Sequence, residues 1–246
     1  IVFILKIFRI KILFHLHGKG ISEHYKKTKF LYDFVFNNSS IICLSSFLTF
    51  DIKNFNSKVY VLNNGIEDYS LSTIKEESNK IRILYLSNFV KEKGVLDLLQ
   101  SISLIKENDI KNFEVNLVGN FTNEISKEFL CNFIHDHKIS EYVNIIGPKY
   151  GDDKFKMFTN SDIFVFPTYY PNECFPLVLL EACQFSLPIV STYEGAIPDI
   201  VEDNTNGFLV GQRDIINMSN KITELISNKE KLDSFSLNSR KKYDSL

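Results

Sequence analysis

Short apolar runs alternate with amphipathic stretches along almost the whole chain. This alternation constrains the fold more than any single residue. The runs at 11–16, 41–44, 59–62, 81–86, 113–118, 142–146, 162–166 and 188–191 are nearly continuous in apolar character and read as buried strands. The stretches at 94–106, 124–137, 152–160, 176–185 and 215–227 carry apolar residues at helical spacing. In 94–106 these are Val95, Leu98, Leu99, Ile102 and Ile105. This alternation of strand and helix, with short and nearly continuous apolar strands, predicts an α/β fold with parallel sheets. No fixed-period repeat interrupts the pattern.

Asn63, Asn64 and Gly65 make a turn signal, followed by a polar, acidic run. The chain divides there into residues 1–64, a linker at 65–80, and a second domain at 81–246. With 246 residues, a hydrophobic share of 44% and a charged share of 24%, the chain has globular composition, and disorder is excluded as the main reading. Lys and Arg total 28 against 30 Asp and Glu, a net charge of -2, which argues against a nucleic-acid partner. The 22 Phe and 11 Tyr are scattered through strands and helices, as core residues are. Cys43, Cys131, Cys174 and Cys183 form no C-x-x-C pair, so neither a zinc ribbon nor a disulfide framework is indicated, and a reducing, cytoplasmic setting follows. The opening stretch IVFILKIFRIKILFHLHG is broken by Lys6, Arg9 and Lys11. It lacks the roughly 18 uninterrupted apolar residues of a membrane span and the order of a signal peptide. It reads as the interior of a domain whose start is missing. SRKKYDSL at the other end stops within a helical pattern.

The richest chemistry lies in PNECFPLVLLEA at 171–182, which follows an apolar run and the loop PTYY. Pro176 suits the first turn of a helix, where its missing N–H costs nothing. Glu173 then lies in the preceding loop. Glu181 lies about 7–8 Å along the helix axis from Pro176. Between the two carboxylates comes a helix N-terminus, with free amides and partial positive charge, where a phosphate can sit. An anionic centre flanked by two carboxylates suits a diphosphate with hydroxyl-rich groups on both sides. Two glutamates at this spacing, taken alone, are more often a dipole partner and a solvated side chain. Tyr169 and Tyr170 could line the same pocket or simply pack the loop.

The E-x7-E pattern of Glu173 and Glu181 resembles the signature of retaining glycosyltransferases of the GT-B fold, two facing Rossmann-like domains, and most closely glycosyltransferase family 4. LYLSNFVKEKGVLDLL (84–99) looks like that family's first donor-domain strand, phosphate loop and helix. VNLVGN (115–120) resembles its next strand and glycine turn, and VNIIGP (143–148) the strand and loop near the nucleobase. EGAIPDIVEDNTNGFLV (194–210) resembles GG-x-P-E-x7-G, with Asp199 at the usual Glu. The match is dense from 81 to about 240 and weaker over 10–66, as the end of an acceptor domain that the chain carries only in part.

The resemblance implies residue roles. Glu181 holds the ribose hydroxyls. Glu173 contacts the donor sugar and supports charge at the reacting carbon. Lys93 neutralises the leaving diphosphate, with amides around Phe175 and Leu177. Ser87, Asn88, Gly119, Pro148 and Pro176 line the donor site. Ser87-Asn88 stands where the family usually has Gly-Arg, so one phosphate-binding charge is missing. His17, in HLHGKG at the end of a strand, approaches the donor sugar across the cleft. With leaving-group stabilisation supplied this way, no metal or other cofactor is needed. His15 and His17 share one side of a strand, but no carboxylate or cysteine cluster completes a zinc site with them or with His135 and His137. No P-loop and no G-x-G-x-x-G occurs.

The implied activity is transfer of a hexose from a nucleoside diphosphate sugar to a glycan or lipid-linked acceptor, with retention of configuration. The implied setting is cytoplasmic, extending to the inner face of the plasma membrane, with peripheral membrane contact. Two alternatives accompany it: a nucleotide-sugar-binding fragment without activity, and a sugar-nucleotide epimerase on the same fold.

Overall fold

The computed structural model of the protein describes residues 1–55, 57–70 and 74–246. Among these residues, two parallel sheets form. The smaller follows helix α1 (Val2–Ile7) and has the order β1 (Leu13–Leu16), β2 (Ser40–Cys43), β3 (Lys58–Val61). Helices α2 (Ile21–Tyr25) and α3 (Lys29–Phe36) cross from β1 to β2, and a 3-10 turn, Ser46–Ile52, leads toward β3.

The larger sheet begins with β4 (Ile81–Leu86), α4 (Val95–Glu107), β5 (Phe113–Val118), α5 (Lys127–Asp136), β6 (Val143–Ile145), α6 (Gly151–Thr159) and β7 (Ile163–Phe166). It continues with α7 (Leu177–Gln184), β8 (Ile189–Thr192), α8 (Ile197–Ile200), β9 (Gly207–Val210), α9 (Ile215–Ser227) and α10 (Lys229–Ser245). Its strand order is β6-β5-β4-β7-β8-β9, all parallel. That is the doubly wound order, which reverses direction between β4 and β7 and opens a crevice at their carboxyl ends.

The strands are apolar throughout because helices cover both faces. Along β4, Ile83 and Tyr85 face one core cluster, with Leu98 and Ile102 of α4 and Met218 and Ile222 of α9. Leu84 faces the other, with Leu179 and Leu180 of α7 and Phe158 of α6. The period-two alternation of a strand thus feeds two cores. Leu44 and Leu48, from the segment after β2, belong to this second cluster, so the two sheets share it.

Helix ends follow local chemistry. Ser126 accepts a hydrogen bond from the Phe129 amide, so α5 starts at Lys127 rather than at 124. Asp214 caps α9 and Asn228 caps α10 in the same way. Pro176 sits at the N-cap of α7, with extended backbone (ψ 111°), rather than in the first turn as the sequence suggested. Helices α1, α2, α3 and α8 and strand β9 have no counterpart among the sequence expectations. Helix α1 buries no residue, and Phe3, Ile4, Ile7 and Phe8 are exposed.

The linker expected over 65–80 includes 71–73, which lie outside the described residues. Before them the chain is tied to the larger domain. The Ile66 carbonyl accepts from Tyr243 Oη at 3.0 Å, and the Asp68 carboxylate meets Arg240 at 2.7 Å. The Tyr69 amide donates to Gln184 Oε1 at 2.8 Å, and its ring stacks on Phe155. No helix among the described residues is long and apolar enough to cross a membrane.

Candidate functional site

The crevice between β4 and β7 gathers most of the residues singled out from sequence. Strand β4 delivers Ser87 and Asn88 at its carboxyl end, and the loop continues to Lys93. Gly94 then turns the chain into α4 with φ +78° and lies so close to the Pro167 carbonyl that a Cβ would collide with it. Gly119, after β5, packs onto the Ser87 carbonyl in the same intolerant way, and its amide donates to the Gly147 carbonyl at 3.2 Å. Ser87, Gly119 and the loop carrying Pro148 therefore form one rim.

Tyr85 supports that rim from below. Its fully buried phenol donates to the Lys93 carbonyl at 3.3 Å. Burial pushes the phenol's pKa well up, against a hydrogen bond to the Ser87 side chain, so it stays neutral. Above, Asn88 Oδ1 accepts from Asn120 Nδ2 at 3.0 Å, which also reaches Tyr150 Oη at 3.1 Å. Asn88 is thus held by the Asn120 amide, which Tyr150 braces in turn, and not by a charge.

The loop from β7 to α7 brings Glu173 to the crevice floor. Lys93 Nζ lies 2.6 Å from Glu173 Oε2, and Thr168 Oγ1 is 3.4 Å from the same oxygen. The ammonium also sits over the Tyr170 ring, 4.5 Å from its centroid. The pair is largely withdrawn from water, with side-chain exposures of 20% and 11%. Beyond it, α7 opens with no side-chain cap and no acidic residue in its first turn. The Leu179 amide turns back to the Pro176 carbonyl at 3.1 Å, which leaves the amides of Leu177 and Val178 without an intrahelical partner. Phe175 is buried in the second core, whereas Leu177 is partly open to solvent. Glu181, in α7, pairs through Oε1 with Lys154 of α6.

A third pair closes the group. Lys19, on the loop after β1, reaches Glu194 on the loop after β8. His17, also expected at the cleft, lies with its Nε2 3.3 Å from His15 Nδ1, and both are exposed. Among the described residues no hydrogen bond or ion pair joins His17 to Glu173 or Lys93.

Sequence reasoning found Glu173, Glu181 and Lys93 but missed Lys154, Lys19 and Glu194. Lys154 and Glu181 are 27 positions apart, and Lys19 and Glu194 are 175 apart. Neither partnership leaves a local signature. Lys19 had a hint in its position between two glycines, and Glu194 in opening the segment 194–210, but neither pointed to the other.

The sequence profile described as "Glycosyl transferases group 1" matches residues 71–242. An uncharacterized glycosyltransferase of Methanocaldococcus jannaschii is 28% identical over 219 residues, covering 87% of this chain and 58% of that protein. A Staphylococcus aureus protein, the capsular polysaccharide biosynthesis glycosyltransferase CapM, is 28% identical over 231 residues, covering 85% of this chain and 58% of its own length. The chain therefore spans a little over half the length of these relatives. Among solved structures, Anabaena Alr3699/HepE in complex with UDP superposes with a TM-score of 0.83 at 19% identity, covering 99% of this chain and 70% of that one.

Proposed function

Since the chain belongs to the glycosyl transferases group 1 family and has the α/β, parallel-sheet GT-B architecture of its structural neighbours, we propose that it is the donor-binding part of a retaining hexosyltransferase. The enzyme takes the sugar from a nucleoside diphosphate and passes it to a glycan or lipid-linked hydroxyl. One observation carries the reading: the Lys93–Glu173 pair lies beside the uncapped start of α7, in the crevice where the doubly wound sheet reverses. Open α/β sheets bind their ligands at that point.

In this reading the diphosphate rests between Lys93 and the first amides of α7. As the bond to the sugar breaks, charge grows on the leaving oxygen. Lys93 and the helix dipole meet that charge in a site already short of water, where such stabilisation is strongest. Glu173 is then freed to bind the sugar hydroxyls on the face where positive charge develops. The leaving diphosphate takes the acceptor's proton on that same face, which keeps the anomeric configuration. Glu181 binds the ribose. His17 approaches the sugar from the smaller domain. No metal or other cofactor enters these steps. The name of CapM, which concerns capsular polysaccharide, favours a glycan acceptor.

The test is a thermal-shift titration of the chain with UDP, GDP, ADP and CDP, alongside Glu181→Ala. A ligand at 100 times its dissociation constant adds about 2.7 kcal/mol of stability. A shift with one nucleotide that is lost in Glu181→Ala is the expected result. A folded protein that responds to none of them overturns the reading.

A further inference from the structure

We propose that Lys19, carried by the smaller domain, is the second cation for the donor's diphosphate, and that Glu194 holds it only while the site is empty. This rests on the reading of the crevice as a nucleoside-diphosphate site. A diphosphate brings more charge than Lys93 alone can match, and Asn88 at the end of β4 supplies none.

The loop that carries Lys19 is built to present it. The buried Asp51 carboxylate, in the 3-10 turn, accepts from the amides of Gly20 at 2.5 Å, Ile21 at 3.0 Å and Ser22 at 2.9 Å. Gly20 itself has φ +102°, a conformation that side-chain-bearing residues rarely adopt. The loop is therefore pinned directly after Lys19. The Lys19 main chain also lies against the Cys174 thiol. Burial pushes this thiol's pKa up, while the Lys19 charge and amide oppose the shift. Cys174 is the neighbour of Glu173 and stands two residues before the α7 N-cap.

Glu194 lies against the same turn. The Ala196 amide donates to the Cys174 carbonyl at 2.7 Å, and Gly195 approaches the Glu173 carbonyl too closely for any Cβ. The Lys19 ammonium thus rests beside the loop that leads into the uncapped start of α7, as Lys93 does through Glu173. The exchange leaves the Glu194 carboxylate hydrogen-bonded by neutral donors. When Lys19 turns to phosphate, Glu194 keeps Gln212 Nε2 at 2.5 Å on one oxygen and the Gly195 amide at 3.1 Å on the other. A carboxylate with two remaining donors stays satisfied.

A pair that merely clamps the two domains depends equally on both residues. A phosphate ligand with a resting partner does not, and this separates the two roles. Calorimetric titration uses the nucleoside diphosphate that binds the wild-type chain, and the matching nucleoside as a control. Lys19→Gln is expected to weaken the diphosphate about tenfold, the loss of one charge-assisted contact, and to leave the nucleoside unchanged. Lys19→Arg is expected to restore most of the loss. Glu194→Gln is expected to bind the diphosphate as well as wild type or more tightly, because it removes the competitor. Equal weakening by Lys19→Gln and Glu194→Gln overturns the proposal in favour of a clamp. Unchanged binding by Lys19→Gln overturns it as well. Failure of the wild-type chain to bind any nucleoside diphosphate overturns the donor-site reading and this inference with it. Should Lys19→Gln not fold, weakening by Glu194→Gln alone refutes the proposal.

Discussion

Glu173, Glu181 and Glu194 each hold the ammonium of a lysine from a different part of the chain: Lys93, Lys154 and Lys19. None of these carboxylates faces the crevice bare. The Lys93–Glu173 and Lys154–Glu181 pairs lose water as they form, and a partner left alone there costs several kcal/mol. Single substitutions in these two pairs should therefore perturb the remaining partner, whereas Glu194 keeps Gln212 and the Gly195 amide. The glycines act differently, through space. An added methyl at Gly119 must displace the Ser87 carbonyl, which is main chain and cannot rotate away. Gly119→Ala is expected to lower unfolding stability by about 1–3 kcal/mol, measured by urea denaturation. It should also weaken nucleotide binding, since Ser87 belongs to the rim. A variant as stable as wild type would show that the rim can relax.

At the scale of elements, legibility tracked burial. Strands β4 and β5 lie exactly where the apolar runs placed them, because strands covered on both faces must be apolar along their length. Helix α9 also has the expected limits, fixed by Asp214 and Asn228 at its two ends. Helix α1 was invisible because Lys6 and its exposed apolar neighbours show no buried stripe. β9 was hidden inside a longer motif, only four residues behind a turn. The path of residues 66–70 was equally hidden, since Arg240 is 172 positions from Asp68. That contact has a pH signature. The Arg240 guanidinium, against some opposing desolvation, lowers the Asp68 carboxyl from 3.8 to about 2. A carboxyl depressed in the folded state stabilises it above the ordinary value, and the gain is lost as pH falls toward the lowered one. Thermal melts between pH 5 and pH 2 are expected to show less acid destabilisation in Arg240→Met than in wild type, from a lower starting Tm. Parallel curves would place the acid sensitivity elsewhere.

For the whole molecule, the outer strand β9 of the large sheet is buried along its length, whereas the outer strand β3 of the small one is exposed along its length. β1 and β3 are both outer strands of a three-stranded sheet, and every residue of β3 is exposed. Val59, Tyr60, Val61 and Leu62 lie open, as do Phe3, Ile4, Phe8 and Phe30 on the α1 side. Open strand edges and clustered apolar surface promote association. Light scattering after gel filtration is expected to show concentration-dependent self-association of the isolated chain, reduced by Val61→Lys. A monodisperse monomer across the concentration range would contradict this. The fold class was legible because alternation is a property of the entire chain. The pairing of charges across the crevice was not, because it exists only once both sheets have met.

That meeting point has a mechanical side. Leu44 and Leu48 are buried with Ala196, Ile197 and Ile200 of the larger domain, three residues or fewer from Ser45 and Asp51, which fix the 3-10 turn and the loop before α2. The apolar contact anchors one part of the 3-10 turn, and Asp51 near its end ties the same turn to the loop after β1 through three amides. Lys19 stands on that loop and His17 just before it. A displacement of the turn against the larger domain is therefore passed to the imidazole and the ammonium together, as to two riders on one carriage.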